Sequence, residues 1–205
     1  LDELSLCLVT DRAQTRGRDL VTVVTECLAA GLPAVQVREK DLGAAELAVL
    51  CRAVRHLTRA HGASLIVNDR VDVALAVGAD AVQRTHISLP VDDIRAVAGR
   101  RLRIGASVHS LEDALDAQAR GADWVVFGPV YDTASKRQYG APQGLERLAA
   151  VARAVRIPVV AIGGITPERV GEVRGAGAHG VGAISAILAA DSPSDATRSF
   201  LKALA

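Results

Sequence analysis

Aromatic residues make up only 2% of the 205-residue sequence, with one Trp, two Tyr and two Phe. That scarcity leaves Ala and Val to fill the core, and it removes the stacking platforms that grip single-stranded nucleic acid. An excess of one charge is also missing. Lys and Arg number 24 against 23 Asp and Glu, so the formal net charge is +1 and no general nucleic-acid binding is expected. Cysteine is sparse: Cys7, Cys27 and Cys51 form an odd set at wide spacing with no CxxC pair, which predicts reduced thiols packed in a core. There is no uninterrupted apolar run long enough to span a membrane, and the sequence does not open on a basic then apolar leader. The expectation is a soluble, cytoplasmic protein with no membrane partner.

What the sequence does have is a β/α rhythm. Half of its residues are hydrophobic, and short apolar runs alternate with longer amphipathic stretches. Strands are expected at 4–10, 34–38, 64–68, 81–84, 103–108, 124–127, 159–162 and 180–184. Helices are expected at 19–30, 43–61, 71–77, 91–98, 111–119, 145–155, 167–174 and 193–205, the last with Ser192 as N-cap. A weak repeat marks the helix-to-strand junctions at Gly31, Gly78, Gly121 and Gly177. Eight parallel units argue for an α/β fold, a single-domain (β/α)8 TIM barrel over residues 1–205, in preference to an open doubly wound sheet. The one long irregular stretch, 131–144, has a length at which loops tend to be functional.

In such a barrel the carboxyl ends of the strands share one mouth. Gln36, Arg38 and Lys40 alternate, so all three face one side of their strand. Polar groups aimed into a barrel need partners, either an anionic ligand or an ion pair of Arg38 with Asp69. Asp69, the single obvious buried-type carboxylate, follows Asn68; it either coordinates Mg2+ or caps the helix at 71–77. Ser107, His86 and His109 also reach the mouth, and the histidines either titrate in a reaction or hydrogen-bond structurally. Thr133, Ser135 and Lys136 put two hydroxyls and an ammonium on the long loop, a set that suits phosphate oxygens. Gly163, Gly164, Ile184 and Ser185 end the last two strands, where barrels often hold a phosphate. Those glycines either cradle an anion or simply make tight turns. Cations exceed carboxylates around this mouth, which points to a small phosphorylated ligand.

Five ordered motifs carry a resemblance: VQVREKD from Val35, NDRVDVALAVGAD from Asn68, SVHSLEDALDAQARGADWVVFGPVYDTASK from Ser107, PVVAIGGITPE from Pro158 and GVGAISAI from Gly180. From Leu4 to Leu201 the chain resembles the thiamin phosphate synthase family, which also contains the thiazole tautomerases. The resemblance implies a (β/α)8 barrel that joins hydroxymethylpyrimidine diphosphate to thiazole phosphate with release of pyrophosphate. It also implies that Gln36, Arg38 and Lys40 meet the pyrimidine and diphosphate, that Asn68 and Lys136 bind diphosphate, and that Asp69 holds Mg2+. Ser107 would sit at the reacting pyrimidine, and Thr133, Ser135, Gly164, Ile184 and Ser185 would hold the thiazole phosphate.

One departure stands out. Where the family continues its fourth strand as roughly DGVHLGQEDLP, this chain reads DAVQRTHISLP from Asp80. Ser88 thus replaces the second Mg2+ carboxylate and Gln83 replaces a histidine, which should weaken the divalent site. The alternative from the same resemblance is the tautomerase, a metal-free proton transfer. Its histidine position is Pro129 here, so His86 or His109 would have to shuttle the proton. A non-catalytic binder of thiazole or thiamin phosphate is a third reading. Helix faces rich in Ala and Leu would permit a homo-oligomer as readily as they cover a barrel.

Overall fold

The computed structural model describes residues 2–133 and 141–205. Eight parallel strands close into a barrel, each paired with its neighbours in sequence and the last with the first. They are β1 (Leu6–Val9), β2 (Ala34–Val37), β3 (Ser64–Asn68), β4 (Ala81–Arg84), β5 (Arg103–Val108), β6 (Trp124–Phe127), β7 (Val159–Ile162) and β8 (Gly180–Ala183). Around them lie α1 (Leu20–Ala29), α2 (Ala44–Ala60), α3 (Val71–Val77), α4 (Val91–Ala98), α5 (Leu111–Ala119) and α6 (Gly144–Ala154). They are followed by α7 (Val170–Gly175), α8 (Ser185–Leu188) and α9 (Pro193–Leu204). The expected barrel forms. The differences are local: β1 starts two residues late, β1, β2 and β8 stop a residue early, the seventh helix opens as a 3-10 turn at Pro167–Arg169, and the short α8 is inserted after β8.

Strand residues alternate between two cores, as the two-residue period requires. Outward side chains such as Leu6, Val35, Val67, Ile104 and Phe127 pack under the helices. Inward ones such as Cys7, Ala34, Ile66, Trp124 and Val160 fill the lumen, so the barrel below its mouth is a packed core. All three thiols are free and buried. Burial pushes the Cys7 and Cys51 thiols up to about 12, and it raises Cys27 as well, which leaves them protonated and inert. Asp19, Ser110 and Ser192 cap α1, α5 and α9 by accepting backbone N–H groups. Among the described residues no helix is long and apolar enough to cross a membrane.

At two of the four repeat junctions, after Gly78 and Gly121, a carboxylate gives the pattern a physical cause. After Gly78 ends α3 in the left-handed region, Asp80 accepts the Leu65 backbone N–H at 2.8 Å and a two-pronged bond from Arg55 on α2. Asp123, after Gly121, likewise accepts the Ile104 N–H at 2.6 Å and a single bond from Arg95 on α4 at 2.7 Å. Each carboxylate ties a strand start to an earlier strand and to a helix. Replacing Asp80 by Ala would leave a backbone donor and a half-buried guanidinium without their acceptor. The expected cost is about 2 kcal/mol, read as a fall in Tm of roughly 4–8 °C. Asp80→Asn keeps an acceptor for Leu65 and should recover part of the loss. Equal losses for both variants would show that the Arg55 pair, not the backbone bond, carries the effect.

Candidate active site

The mouth is chemically two-sided. On β2 to β5 the inward residues at the top are Gln36, Asn68, Gln83 and Ser107, while on β6 and β7 they are Val126 and Ile162, joined by Ile184 just beyond β8, all three half-buried. The polar side is internally paired. Gln36, 5% exposed, donates from Nε2 to Asn68 Oδ1 at 3.1 Å, and Gln83, 1% exposed, donates from Nε2 to Ser107 Oγ at 3.0 Å. Asn68, Gln83, Gly105 and Trp124 stand in register across four adjacent strands. Gly105 is small because it must be, since a Cβ there would collide with both Gln83 Oε1 and the Trp124 indole.

Asp69 leaves β3 with φ 65, in the left-handed region that Asp tolerates better than most residues. Its backbone N–H bonds the Gln83 carbonyl at 2.9 Å, which holds the side chain over the β3–β4 edge of the mouth. Its carboxylate Oδ1 accepts the Ser88 hydroxyl, not a guanidinium from Arg38. Ser88 Oγ in turn accepts the Thr85 N–H at 2.8 Å and shares a bond with the Thr85 hydroxyl at 3.0 Å. Of the two roles open to Asp69, capping is not the one it takes: α3 starts at Val71 as expected, but its N-cap residue is Arg70 and it has no side-chain cap. The residue standing where a second carboxylate was expected is therefore bonded directly to the first.

Across the mouth, Gly163 and Gly164 have φ of 101 and 65. A Cβ on Gly163 would lie 2.6 Å from Pro129 Cα, and one on Gly164 2.6 Å from the Asp132 carbonyl oxygen. The turn they form is stapled to the segment after β6: Tyr131 N–H bonds the Gly163 carbonyl at 3.0 Å and its hydroxyl donates to Glu172 at 2.8 Å. Arg169 stacks 4.4 Å over the Tyr131 ring and donates to the Gly164 carbonyl at 2.6 Å. Desolvation first, then the Glu172 carboxylate, pushes the Tyr131 phenol up to about 12. Ile184 and the exposed Ser185 open α8 beside this turn.

Around the rim, Arg38 is half-buried, with its N–H bonded to the Thr10 hydroxyl at 2.9 Å, and Lys40 is exposed in the turn beyond. Glu39 between them is a buried carboxylate that the sequence reading missed. It is 7% exposed and faces Arg12, whose Nε is 3.4 Å away. His86 is exposed in the β4–α4 turn. His109 is exposed too, but its Nδ1 lies 2.6 Å from the Gly128 carbonyl, next to the cis Gly128–Pro129 bond. Thr133 is half-buried after β6. Ser135 and Lys136 lie outside the described residues. Among the described residues no cluster of three or more His, Cys, Asp or Glu could hold a metal by itself. Thr85 at the rim and Trp124 in the layer beneath the mouth were also missed; the register of β4, β5 and β6 that brings Trp124 level with Gln83 appears only once the strands are paired.

Comparison with known proteins agrees with this geometry. The thiamine monophosphate synthase family matches residues 6–187. The thiamine-phosphate synthase of Moorella thermoacetica is 44% identical over 182 residues, covering 89% of this chain and 87% of its own length. That of Roseiflexus castenholzii is 44% identical over 191 residues, covering 93% and 84%. Among solved structures, thiamine phosphate pyrophosphorylase from Pyrococcus furiosus superposes with a TM-score of 0.91 at 39% identity, covering 99% of this chain and 96% of that one.

Proposed function

The chain belongs to the thiamine monophosphate synthase family, and from that premise we propose that it joins hydroxymethylpyrimidine diphosphate to thiazole phosphate, releasing pyrophosphate. The bond from the pyrimidine methylene carbon to the diphosphate oxygen breaks, and the pair leaves on oxygen. The thiazole nitrogen then donates the pair that forms the new C–N bond. The observation that carries this reading, beside family membership, is the two-sided mouth. Carboxamides and a hydroxyl on β2 to β5 suit a nitrogen-rich ring, and Val126, Ile162 and Ile184 opposite offer a developing cation no nucleophile.

In this reading Gln36 and Ser107 meet the pyrimidine, and Arg38, Lys40, Asn68 and Lys136 balance the diphosphate. Thr133, Ser135, Gly164, Ile184 and Ser185 receive the thiazole phosphate. Two features weigh against the tautomerase alternative: Pro129 stands where its histidine would be, and the His109 ring is bonded to the Gly128 carbonyl.

The donor set of Asp69 and Ser88 fits Mg2+ held jointly with a diphosphate, since this ion commonly takes one or two carboxylates plus substrate phosphates. Asp69 would supply the charge and Ser88 a neutral oxygen, and the ion would offset charge on the departing pyrophosphate. Pyrophosphate release by purified protein given both substrates, with Mg2+ and then with chelator, tests the function. Metal-dependent release that needs both substrates is expected. Conversion of the thiazole carboxylate isomer with no such release would assign the tautomerase reaction instead.

Position 88 gives a second expectation. In Ser88→Asp two carboxylates face each other, so without diphosphate this variant should bind Mg2+ that the natural protein does not. With Mg2+ at about ten times the variant's Kd, its Tm should rise by about 3–6 °C over the value in chelator, while that of the natural protein stays still. An identical response in both proteins would mean that residue 88 does not set metal affinity.

A further inference from the structure

We propose that Gln83 is a positioning residue that sets the direction of the Ser107 hydroxyl, so that Ser107 presents its proton to the ligand in the mouth. The inference rests on the function proposed above. Gln83 is almost fully buried, and its Nε2 donates to Ser107 Oγ at 3.0 Å. Among the described residues this is the one hydrogen bond of the Ser107 side chain. An oxygen that accepts from Gln83 keeps its own proton free to donate elsewhere.

The other end of the carboxamide explains why it does not turn over. Gln83 Oε1 is buried without a protein partner, and so is Trp124 Nε1. Both groups border the space that Gly105 leaves empty, because a Cβ there would strike Gln83 Oε1 and Trp124 Cε2, the carbon bonded to Nε1. An indole N–H is a donor only. Reversing the carboxamide would set its NH2 against that donor and turn its oxygen to Ser107, which would then have to spend its proton on Gln83. The register Gln83, Gly105, Trp124 thus fixes the amide, and the amide fixes the hydroxyl. A proton directed outward from Ser107 matches a ligand with an acceptor at that point, either a ring nitrogen or the oxygen of the departing ester.

The test is a variant series read by steady-state pyrophosphate release across pH. Gln83→Glu puts an acceptor-only carboxylate beneath Ser107 and should lower kcat/KM about tenfold relative to the natural protein at pH near 8. The deficit should shrink to within about threefold as pH falls toward about 5.5, because burial raises a carboxyl pKa and the protonated group donates again. Gln83→His retains an N–H donor and should stay within about threefold at each pH. In a Ser107→Ala background, Gln83→Glu should add no further loss.

A deficit that does not change with pH, or one of the same size without the Ser107 hydroxyl, would overturn the proposal and leave Gln83 a packing residue. Should Gln83→Glu not fold, Gln83→Leu read in the same Ser107→Ala cycle decides the point. If the natural protein releases no pyrophosphate, it is the proposed function that fails. The same series is then read as affinity for the pyrimidine diphosphate, through the fluorescence of Trp124, the only tryptophan in the chain.

Discussion

Asp69→Asn should lower kcat/KM for pyrophosphate release by about 100- to 1,000-fold and leave Tm almost unchanged. The two halves of that expectation come from different features of the residue. Its backbone sits at φ 65, which Asn adopts as readily as Asp. Its Oδ1 accepts the Ser88 hydroxyl, and the Asn side chain keeps an oxygen for that bond. The fold around the β3–β4 edge therefore has no reason to shift. What disappears is the negative charge, and with Ser88 neutral no neighbouring carboxylate replaces it. In a family member with two carboxylates, the remaining one would soften the loss; here the effect should be close to complete. Raising Mg2+ should restore part of the rate, because a weaker site is filled by mass action. Asp69→Ala is the poorer probe, since it forces a residue that disfavours the left-handed region into it and strands Ser88 as well. Near-natural turnover by Asp69→Asn at limiting Mg2+ would remove Asp69 from the metal role, and a matching fall in Tm would mean that the loss was structural.

The barrel was legible because its strands are buried on both faces. A run such as Leu65 to Val67 or Val125 to Phe127 is bounded by a glycine or aspartate turn and is too short to be a helix, and eight such runs in order leave few topologies. Asp80 and Asp123 show how much of the junction repeat could be read. The recurrence was visible in the sequence, but the backbone N–H groups that those carboxylates accept lie fifteen and nineteen residues back and appear only once strands are paired. The mouth divided in the same way. Alternation along a single strand put Gln36, Arg38 and Lys40 on one face, but it could not say that Gln36 would bond Asn68 or that Gln83 would bond Ser107. Those pairings depend on the stagger between strands, which no single strand encodes. Glu39 was missed because the strand rule sends it outward, and outward here means into contact with Arg12 from the β1 loop. Ser88 was read as a missing ligand. The structure adds that its hydroxyl is bonded to Asp69, the carboxylate proposed to hold the ion.

Gly180→Ala should be the most damaging small substitution in the barrel, costing about 3 kcal/mol and lowering Tm by about 6–12 °C. Space is the reason, and backbone conformation is not, because Gly180 is absent from the set of left-handed glycines. A Cβ at this position would collide with the Leu4 carbonyl oxygen and lie 2.7 Å from that of Ser5. Both are main-chain atoms leading into β1, and the Ser5 carbonyl already accepts the Val181 N–H at 3.0 Å. Neither can rotate aside as a side chain would, so the β1–β8 seam that closes the barrel must open. Gly182, two residues on, is the internal control: its added Cβ would lie 3.1 Å from Ile162 Cδ1, the end of a flexible side chain, and Gly182→Ala should cost less than about 1 kcal/mol. Calorimetry on the two variants separates the explanations, since equal losses would mean that added lumen volume, not the fixed backbone, is what the barrel resists. The same seam carries a functional consequence. Ile184 and Ser185 follow β8 directly, so in the proposed function loosening it should raise KM for thiazole phosphate while leaving that for the pyrimidine diphosphate, assigned there to β2 to β5, near its natural value.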